Sequence, residues 1–273
     1  MKIFLDGTLT DAAKVSISLD DRAFRYGDGL FETMFFDGQR LRLGPYHWER
    51  LVAGAQALHF SLPSRFSLAM VEEQVRHLAR EAGQQVARVR LHLWRGEGGL
   101  YTPLANQARY LVRTDAYVAP PAVKEKAARS TTVTLSPTAW SRFKTHNALP
   151  YVLASHERQQ LGLDDLILTN AYGHVAEATY SNVFWKIEGV WYTPGLASGC
   201  LGGVMRRWVM EQIQAWELPL HEGLFPYEVL AKAQLCLLTN ASGLSTLAQL
   251  DGHAFPQTTD PTVEALRSTL AAG

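Results

Sequence analysis

Two cysteines, Cys200 and Cys236, are all that 273 residues contain. So few thiols argue against a disulfide framework or a Cys-rich metal site and fit a reducing compartment. An excess of one charge is also missing. Lys and Arg number 26 and Asp and Glu number 26, so no global field draws the chain to nucleic acid or to an anionic membrane, and a small molecule is the expected partner. No apolar run approaches the roughly 20 residues of a membrane span. The opening "MKIFLDGTLT" is too short in apolar residues for a secretory h-region, and the chain is expected in the cytoplasm. Nine histidines occur, but no pair stands at helical metal-ligand spacing beside a carboxylate, so no metal site is expected. Internal repeats and low-complexity segments are absent as well.

What is present is a 47% hydrophobic, 19% charged sequence, long enough for one large core or two modest domains. "KIFLDG" predicts a strand closed by an Asp-Gly turn, and "GLFETMFFDGQRLRL" predicts a hairpin around Asp37-Gly38. Helical spacing follows Pro45 in "PYHWERLVAGAQAL" and returns in "SLAMVEEQVRHLARE"; "ARVRLHLW" and "RYLVRTDAYV" alternate as strands do. The Pro pair and charges of "APPAVKEK" predict a linker at 119–126 between domains 1–118 and 127–273. Strands dominate the second half, and a helix is expected to begin near Asn147. Hairpins mixed with separate helices predict an α+β protein.

Four features bear on chemistry. Lys144, just before that helix, can be a solvated charge or a buried amine able to form a Schiff base. "SGCLGGV" runs into a helix whose first N–H groups, around Val204 and Met205, can bind an anion, or it can be a tight loop that only needs glycine. Arg50 in "YHWERL" can clamp the same anion or face water. Glu177, between apolar residues, is a strand-edge carboxylate or a buried one that needs a partner. Taken together, a lysine, a carboxylate for a protonated ring nitrogen and a phosphate clamp are the requirements of pyridoxal 5′-phosphate.

The segments "DRAFRYGDGLFET", "HWERL", "FKTHN", "DDLILTNAYGHVAEATYSNVFW", "GCLGGVMRR" and "LLTNAS", in this order, resemble the class IV (fold type IV) pyridoxal-phosphate enzymes. These are branched-chain aminotransferases, D-amino-acid aminotransferases and 4-amino-4-deoxychorismate lyases. The resemblance implies a two-domain fold like that of the D-amino-acid aminotransferases, with a small N-terminal α/β domain, a larger C-terminal β-rich domain, cofactor at their interface, and a homodimer. It implies that Lys144 is the Schiff-base lysine and proton shuttle. Glu177 would pair with the pyridine nitrogen, and Arg50, the Val204 and Met205 N–H groups, Ala241 and Ser242 would hold the phosphate. Thr33 in "GLFET" is similar to the threonine of the lyases, as are "KTHN" and "LLTNAS"; Leu149 stands where branched-chain enzymes carry a tyrosine. The activity so implied is conversion of 4-amino-4-deoxychorismate to 4-aminobenzoate and pyruvate, with Lys144 and Thr33 catalytic. An aminotransferase acting on branched-chain or D-amino acids is the alternative, and a non-catalytic pyridoxal-phosphate binder a third reading. "LWRGEGGLYTP" departs from the lyase pattern, since Leu100 replaces its second arginine; Phe31, Arg95 and Tyr101 are the substrate contacts expected.

Overall fold

Asp6 and Gly7 both adopt positive φ, 49° and 84°, so the backbone twists as a two-residue hairpin needs. They join β1 (Lys2–Leu5) to β2 (Thr8–Asp11), with Leu5 opposite Thr8. The computed structural model describes Met1–Ala272. It resolves into two units, the first Met1–Val118 with Phe143–Asn147, the second Ala119–Arg142 with the chain from Ala148 onward.

In the first unit, α1 (Arg22–Tyr26) leads into β3 (Gly29–Phe36), followed by α2 (Gly44–Ala57), α3 (Leu68–Glu81), β4 (Ala87–Arg95) and β5 (Ala108–Ala116). The five strands form an antiparallel sheet in the order β2-β1-β5-β4-β3. β4 alternates buried and half-buried residues along its whole length. Val89, Leu91 and Leu93 therefore enter the core beside Val71, Val75 and Leu78 of α3, while Arg88, Arg90, His92 and Trp94 occupy the other face. Ser67 caps α3, its side chain accepting from Met70 N. The expected hairpin at Asp37-Gly38 closes only one bridge, between Phe36 and Leu41. The Asp37 carboxylate accepts from the N–H groups of Gln39 and Arg40, each at 2.8 Å. These bonds close the reversal, Arg42 N still reaches Phe35 O at 2.8 Å, and the positive φ of Leu43, 53°, then leads the chain into α2.

The second unit contains β6 (Val123–Leu135), α4 (Leu149–Gln160), β7 (Asp165–Asn170), β8 (Val175–Ala178), β9 (Asn182–Ile187), β10 (Val190–Pro194), α5 (Val204–Ala215), β11 (Leu220–Gly223), β12 (Leu235–Asn240), β13 (Gly243–Leu250), β14 (His253–Ala254) and α6 (Pro261–Ala272). Its sheet runs β11-β10-β9-β12-β13-β6-β7-β8, with β14 on β13. The β10–β11, β13–β6 and β6–β7 pairs are parallel. All six residues of β7 are buried, as a strand covered on both faces requires. Leu166 and Leu168 pack with Ala154 and Tyr151 of α4, and Ile167 packs in a separate cluster with Trp185 and Leu238.

The chain changes units between Val118 and Ala119, but β6 has begun by Val123, inside the stretch expected to be a linker. Lys124 misleads the sequence reading. It is buried, and its Nζ lies 2.5 Å from Asp165 Oδ2. A second difference concerns 143–147, which groups with the first unit because it pairs with the exposed edge of β3. The helix expected near Asn147 consequently starts at Leu149, with Pro150 in its first turn.

Candidate active site

β3 is the edge strand of the first sheet, and Phe143–Asn147 adds to it. Phe31 N donates to Lys144 O at 2.8 Å and His146 N to Gly29 O at 2.9 Å, with Thr145 bridging Leu30. Alternation then sends Lys144 and His146 to the same side as Phe31. Lys144 Nζ lies 4.5 Å from the centre of the Phe31 ring. Phe31 stacks on His92 at 5.8 Å, and His92 Nδ1 is 3.2 Å from His146 Nε2. Burial, then the neighbouring His146, then Arg90 and Arg113 hold His92 down at about 4; burial lowers His146 too. Both rings are therefore neutral at pH 7. Thr33, two residues beyond Phe31, shares its face.

Gly29 is the residue that permits this edge. A Cβ there would overlap the His146 ring and stand 2.9 Å from Leu93 O. Gly29→Ala is expected to force the 144–146 segment off β3 at a cost of about 1–3 kcal/mol; urea denaturation checks this, and unchanged stability would mean that the segment is not pinned there.

On the opposite face of β3, Glu32 is 1% exposed and receives two residues of α2. Arg50 Nε donates to Oε1 at 2.8 Å and Nη2 to Oε2 at 2.5 Å, and His47 Nδ1 is 2.6 Å from Oε2. Burial pushes the Glu32 carboxyl up, but Arg50 and His47 more than reverse this and hold it at about 2. Burial also keeps His47 low against the pull of Glu32. Arg50, expected at a phosphate, is thus oriented by a bidentate carboxylate.

In the second unit, β8 presents Glu177 at 3% exposure. Its carboxylate accepts from the Tyr151 hydroxyl at 2.6 Å, from Leu201 N at 3.1 Å and from Asn182 Nδ2 at 3.2 Å. Three donors of this kind sustain a buried carboxylate as an anion; burial and that negative charge push the Tyr151 phenol up. Glu157, at the far end of α4, accepts from Ser130 Oγ, Thr131 N and Thr132 Oγ1 at 2.5, 2.8 and 2.7 Å. It fixes α4, and hence Tyr151, to the irregular part of β6.

Asn182 also donates to Leu201 O at 2.9 Å, which ties Glu177 to the glycine loop before α5. Gly203 is required in that loop because a Cβ would run into Asn182 Oδ1. No side chain caps α5, and the first of its N–H groups to reach back is that of Arg207, onto Gly203 O at 2.9 Å. Val204 and Met205 precede it. Ala241 and Ser242 form the turn between β12 and β13, with Ser242 N donating to Asn240 Oδ1 at 2.8 Å. Cys200 is buried, and burial followed by Glu177 raises its thiol to about 11, which makes it an unreactive filler.

Two expected substrate contacts are placed differently. Arg95 is 7% exposed, and its guanidinium donates to both oxygens of Asp28, to Leu58 O and His59 O, and to Asn106. It braces the loop and has no donor left for a substrate. Asp28 also accepts from Arg22 Nε at 2.8 Å, while Arg22 Nη1 donates to Leu100 O at 2.5 Å. Tyr101 is 88% exposed and packs against Tyr26 at 5.6 Å. Sequence reasoning missed Glu32, His47, Tyr151 and Asn182 as supports. Glu32, His47 and Asn182 stood within quoted motifs, in "GLFET", "HWERL" and "TYSNVFW", and their buried neighbours were the available signal.

The class IV aminotransferase profile matches residues 29–247, from the glycine under His146 to the β13 strand. The chain belongs to the class IV aminotransferase family. Within that family it is 29% identical to the aminodeoxychorismate lyase of Vibrio harveyi over 213 residues, 73% of this chain and 74% of that protein. The crystal structure of 4-amino-4-deoxychorismate lyase from Pseudomonas aeruginosa superposes with a TM-score of 0.85 at 25% identity, covering 99% of this chain and 98% of that one. The branched-chain amino acid aminotransferase of Escherichia coli superposes with a TM-score of 0.89 at 20% identity, over 99% and 93% of the two chains. The α+β architecture is thus that of class IV, fold type IV proteins. Among the described residues, no group of three or more His, Cys, Asp or Glu side chains could hold a metal ion, and no helix is long and apolar enough to cross a membrane.

Proposed function

We propose that this class IV protein is a pyridoxal 5′-phosphate-dependent lyase that converts 4-amino-4-deoxychorismate to 4-aminobenzoate and pyruvate. The observation that carries this reading is the β3 face on which Thr33 follows Phe31, under the Lys144 amine. The lyase relative and the lyase structure support it.

The residues present fit the cofactor. Glu177 is a buried, hydrogen-bonded carboxylate of the kind that keeps a ring nitrogen protonated. The start of α5 carries no side-chain cap, and Gly203 just ahead of it packs against Asn182, whose amide donates to Glu177. The Val204 and Met205 N–H groups, with Arg50, Ala241 and Ser242, would hold the phosphate. Bound pyridoxal phosphate supplies a carbonyl that condenses with amines and a ring that accepts electrons. Lys144 then carries the proton chemistry, taking the proton from the substrate carbon that bears the amine. Glu177 holds the proton on the ring nitrogen. The Thr33 hydroxyl relays a proton, drawn from the one Lys144 has taken up, to the departing enolpyruvyl oxygen, and formation of the aromatic ring drives the cleavage. Neutral His92 and His146 can donate and accept hydrogen bonds beside Phe31 without adding charge. We assign the protein to the cytoplasm as a homodimer.

The test supplies cofactor-loaded protein with 4-amino-4-deoxychorismate and follows pyruvate and 4-aminobenzoate together. Both are expected in equal amounts. Thr33→Ala is expected to slow their release by at least about 100-fold while leaving the visible spectrum of the bound cofactor unchanged. Release at the wild-type rate would remove Thr33 from the reaction. No release from the wild type, with amino acids instead converted to keto acids, would make the protein an aminotransferase.

A further inference from the structure

His146 reaches across a gap in the sheet. Its backbone lies beside β3, yet its ring meets a residue of β4, one strand further in. Gly29 makes this crossing possible, since the residue of β3 opposite His146 has no side chain and a Cβ there would take the place of the ring. Across that gap His146 Nε2 is 3.2 Å from His92 Nδ1. Phe31 closes the group. Its ring centre is 5.8 Å from that of His92 and 6.0 Å from that of His146, and the two imidazoles are 5.3 Å apart. The Lys144 amine lies over the Phe31 corner of this triangle.

A short segment on a sheet edge opens easily when backbone bonds alone hold it. A side-chain bond that passes over β3 to the next strand adds a second attachment. We infer that His92 and His146 are a positioning pair, whose hydrogen bond clamps the 143–147 segment to β4 and so fixes where the Lys144 amine stands above Phe31. The inference rests on Lys144 being the amine-handling residue of the proposed lyase. A bond between two imidazole nitrogens requires one proton between them, and two neutral rings meet that condition. Two cationic rings present a donor on each side, and the bond is lost. One cationic ring already places positive charge beside Phe31 and the amine. The groups around the pair act in opposite directions. Burial, then His146, then Arg90 on β4 and Arg113 on β5 hold His92 at about 4. Burial lowers His146 from its ordinary 6.5, against the Leu30 carbonyl and against Asp21 and Asp28 on either side of α1. Lys144 is a further cation on this face. Both histidines therefore favour the folded segment when neutral, and the clamp is complete above 6.5 and lost as the pH falls from there through 4.

The experiment follows hydrogen–deuterium exchange of the Phe31 and His146 backbone N–H groups in the full-length, cofactor-loaded protein between pH 8 and pH 5, corrected for the intrinsic rate. At the upper end, His92→Leu and His146→Leu are each expected to speed exchange about fivefold, the scale of one lost hydrogen bond. His92→Asn puts an amide near the place of Nδ1 and His146→Gln near that of Nε2. These two variants are expected to keep most of the protection and to make it independent of pH, whereas the wild type loses protection below 6.5. A role in packing alone predicts neither the rescue by amides nor the change with pH. In turnover, kcat of the leucine variants is expected to fall while KM stays near the wild-type value. Exchange unchanged in both leucine variants, equal acceleration in leucine and amide variants, or wild-type protection that does not vary with pH would overturn the clamp. Faster exchange with kcat unaltered would remove the positioning role. Exchange that behaves as expected in a protein that releases no pyruvate would keep the clamp and reject the lyase. Pyruvate release with exchange untouched by all four substitutions would do the reverse.

Discussion

Lys144→Ala is expected to abolish the visible band that the bound cofactor owes to its bond with the lysine, and to lower turnover by at least about 100-fold. The loss should be chemical rather than structural. Lys144 is half-buried on an edge segment, and the backbone bonds that hold the segment, Phe31 N to Lys144 O and His146 N to Gly29 O, do not involve its side chain. Unfolding by urea should therefore stay close to that of the wild type. Added small amines are expected to restore part of the rate by taking over the proton transfer. Retention of the band in the variant, followed by absorbance after reduction with borohydride, would mean that another lysine binds the cofactor. Lys124 and Lys186 are poor replacements, since each already faces a carboxylate, Asp165 at 2.5 Å and Asp260 at 2.7 Å.

Lys124 marks the limit of what the sequence could reveal. Alternation in "ARVRLHLW" and helical spacing in "SLAMVEEQVRHLARE" report which face meets the core, so β4, β5 and α3 were legible at once. "APPAVKEK" read as linker because charge ordinarily means solvent, yet Lys124 enters the sheet against Asp165, a partner 41 residues away. No local pattern carries that information. The Asp37-Gly38 turn forms as expected but its hairpin stops after one bridge, a length that the turn signal does not report. At the candidate site, Lys144, Glu177 and Arg50 were legible as residue types in quoted motifs. Their supports were not, because Tyr151, Asn182, Glu32 and His47 act through contacts across elements. Arg95 shows the converse. A glycine-flanked arginine suggested a ligand, and only the three-dimensional path of the loop shows that Asp28, Leu58, His59 and Asn106 take its donors.

Glu32→Gln is expected to destabilise the protein by about 3–5 kcal/mol, the scale for removing one member of a buried ion pair. The amide keeps the volume, so the loss reports charge rather than packing. Arg50 would remain on α2 with 11% of its side chain exposed and without the carboxylate that orients its fork; His47 would lose the partner that opposes its burial. The pH dependence has a definite sign. The Glu32 carboxyl lies at about 2 in the folded protein against an ordinary value of 4.5, so its contribution is fully present above 4.5 and disappears as the pH falls from there through 2. Urea midpoints of wild type and variant should therefore differ most at pH 6–8 and converge toward pH 2. A constant difference across that range would show that the glutamate acts by shape and not by charge. If Arg50 also holds the cofactor phosphate, the variant at neutral pH should bind pyridoxal phosphate more weakly than the wild type even where both are folded. That outcome would link the buried side of β3, where Glu32 sits, to the opposite side that carries Lys144.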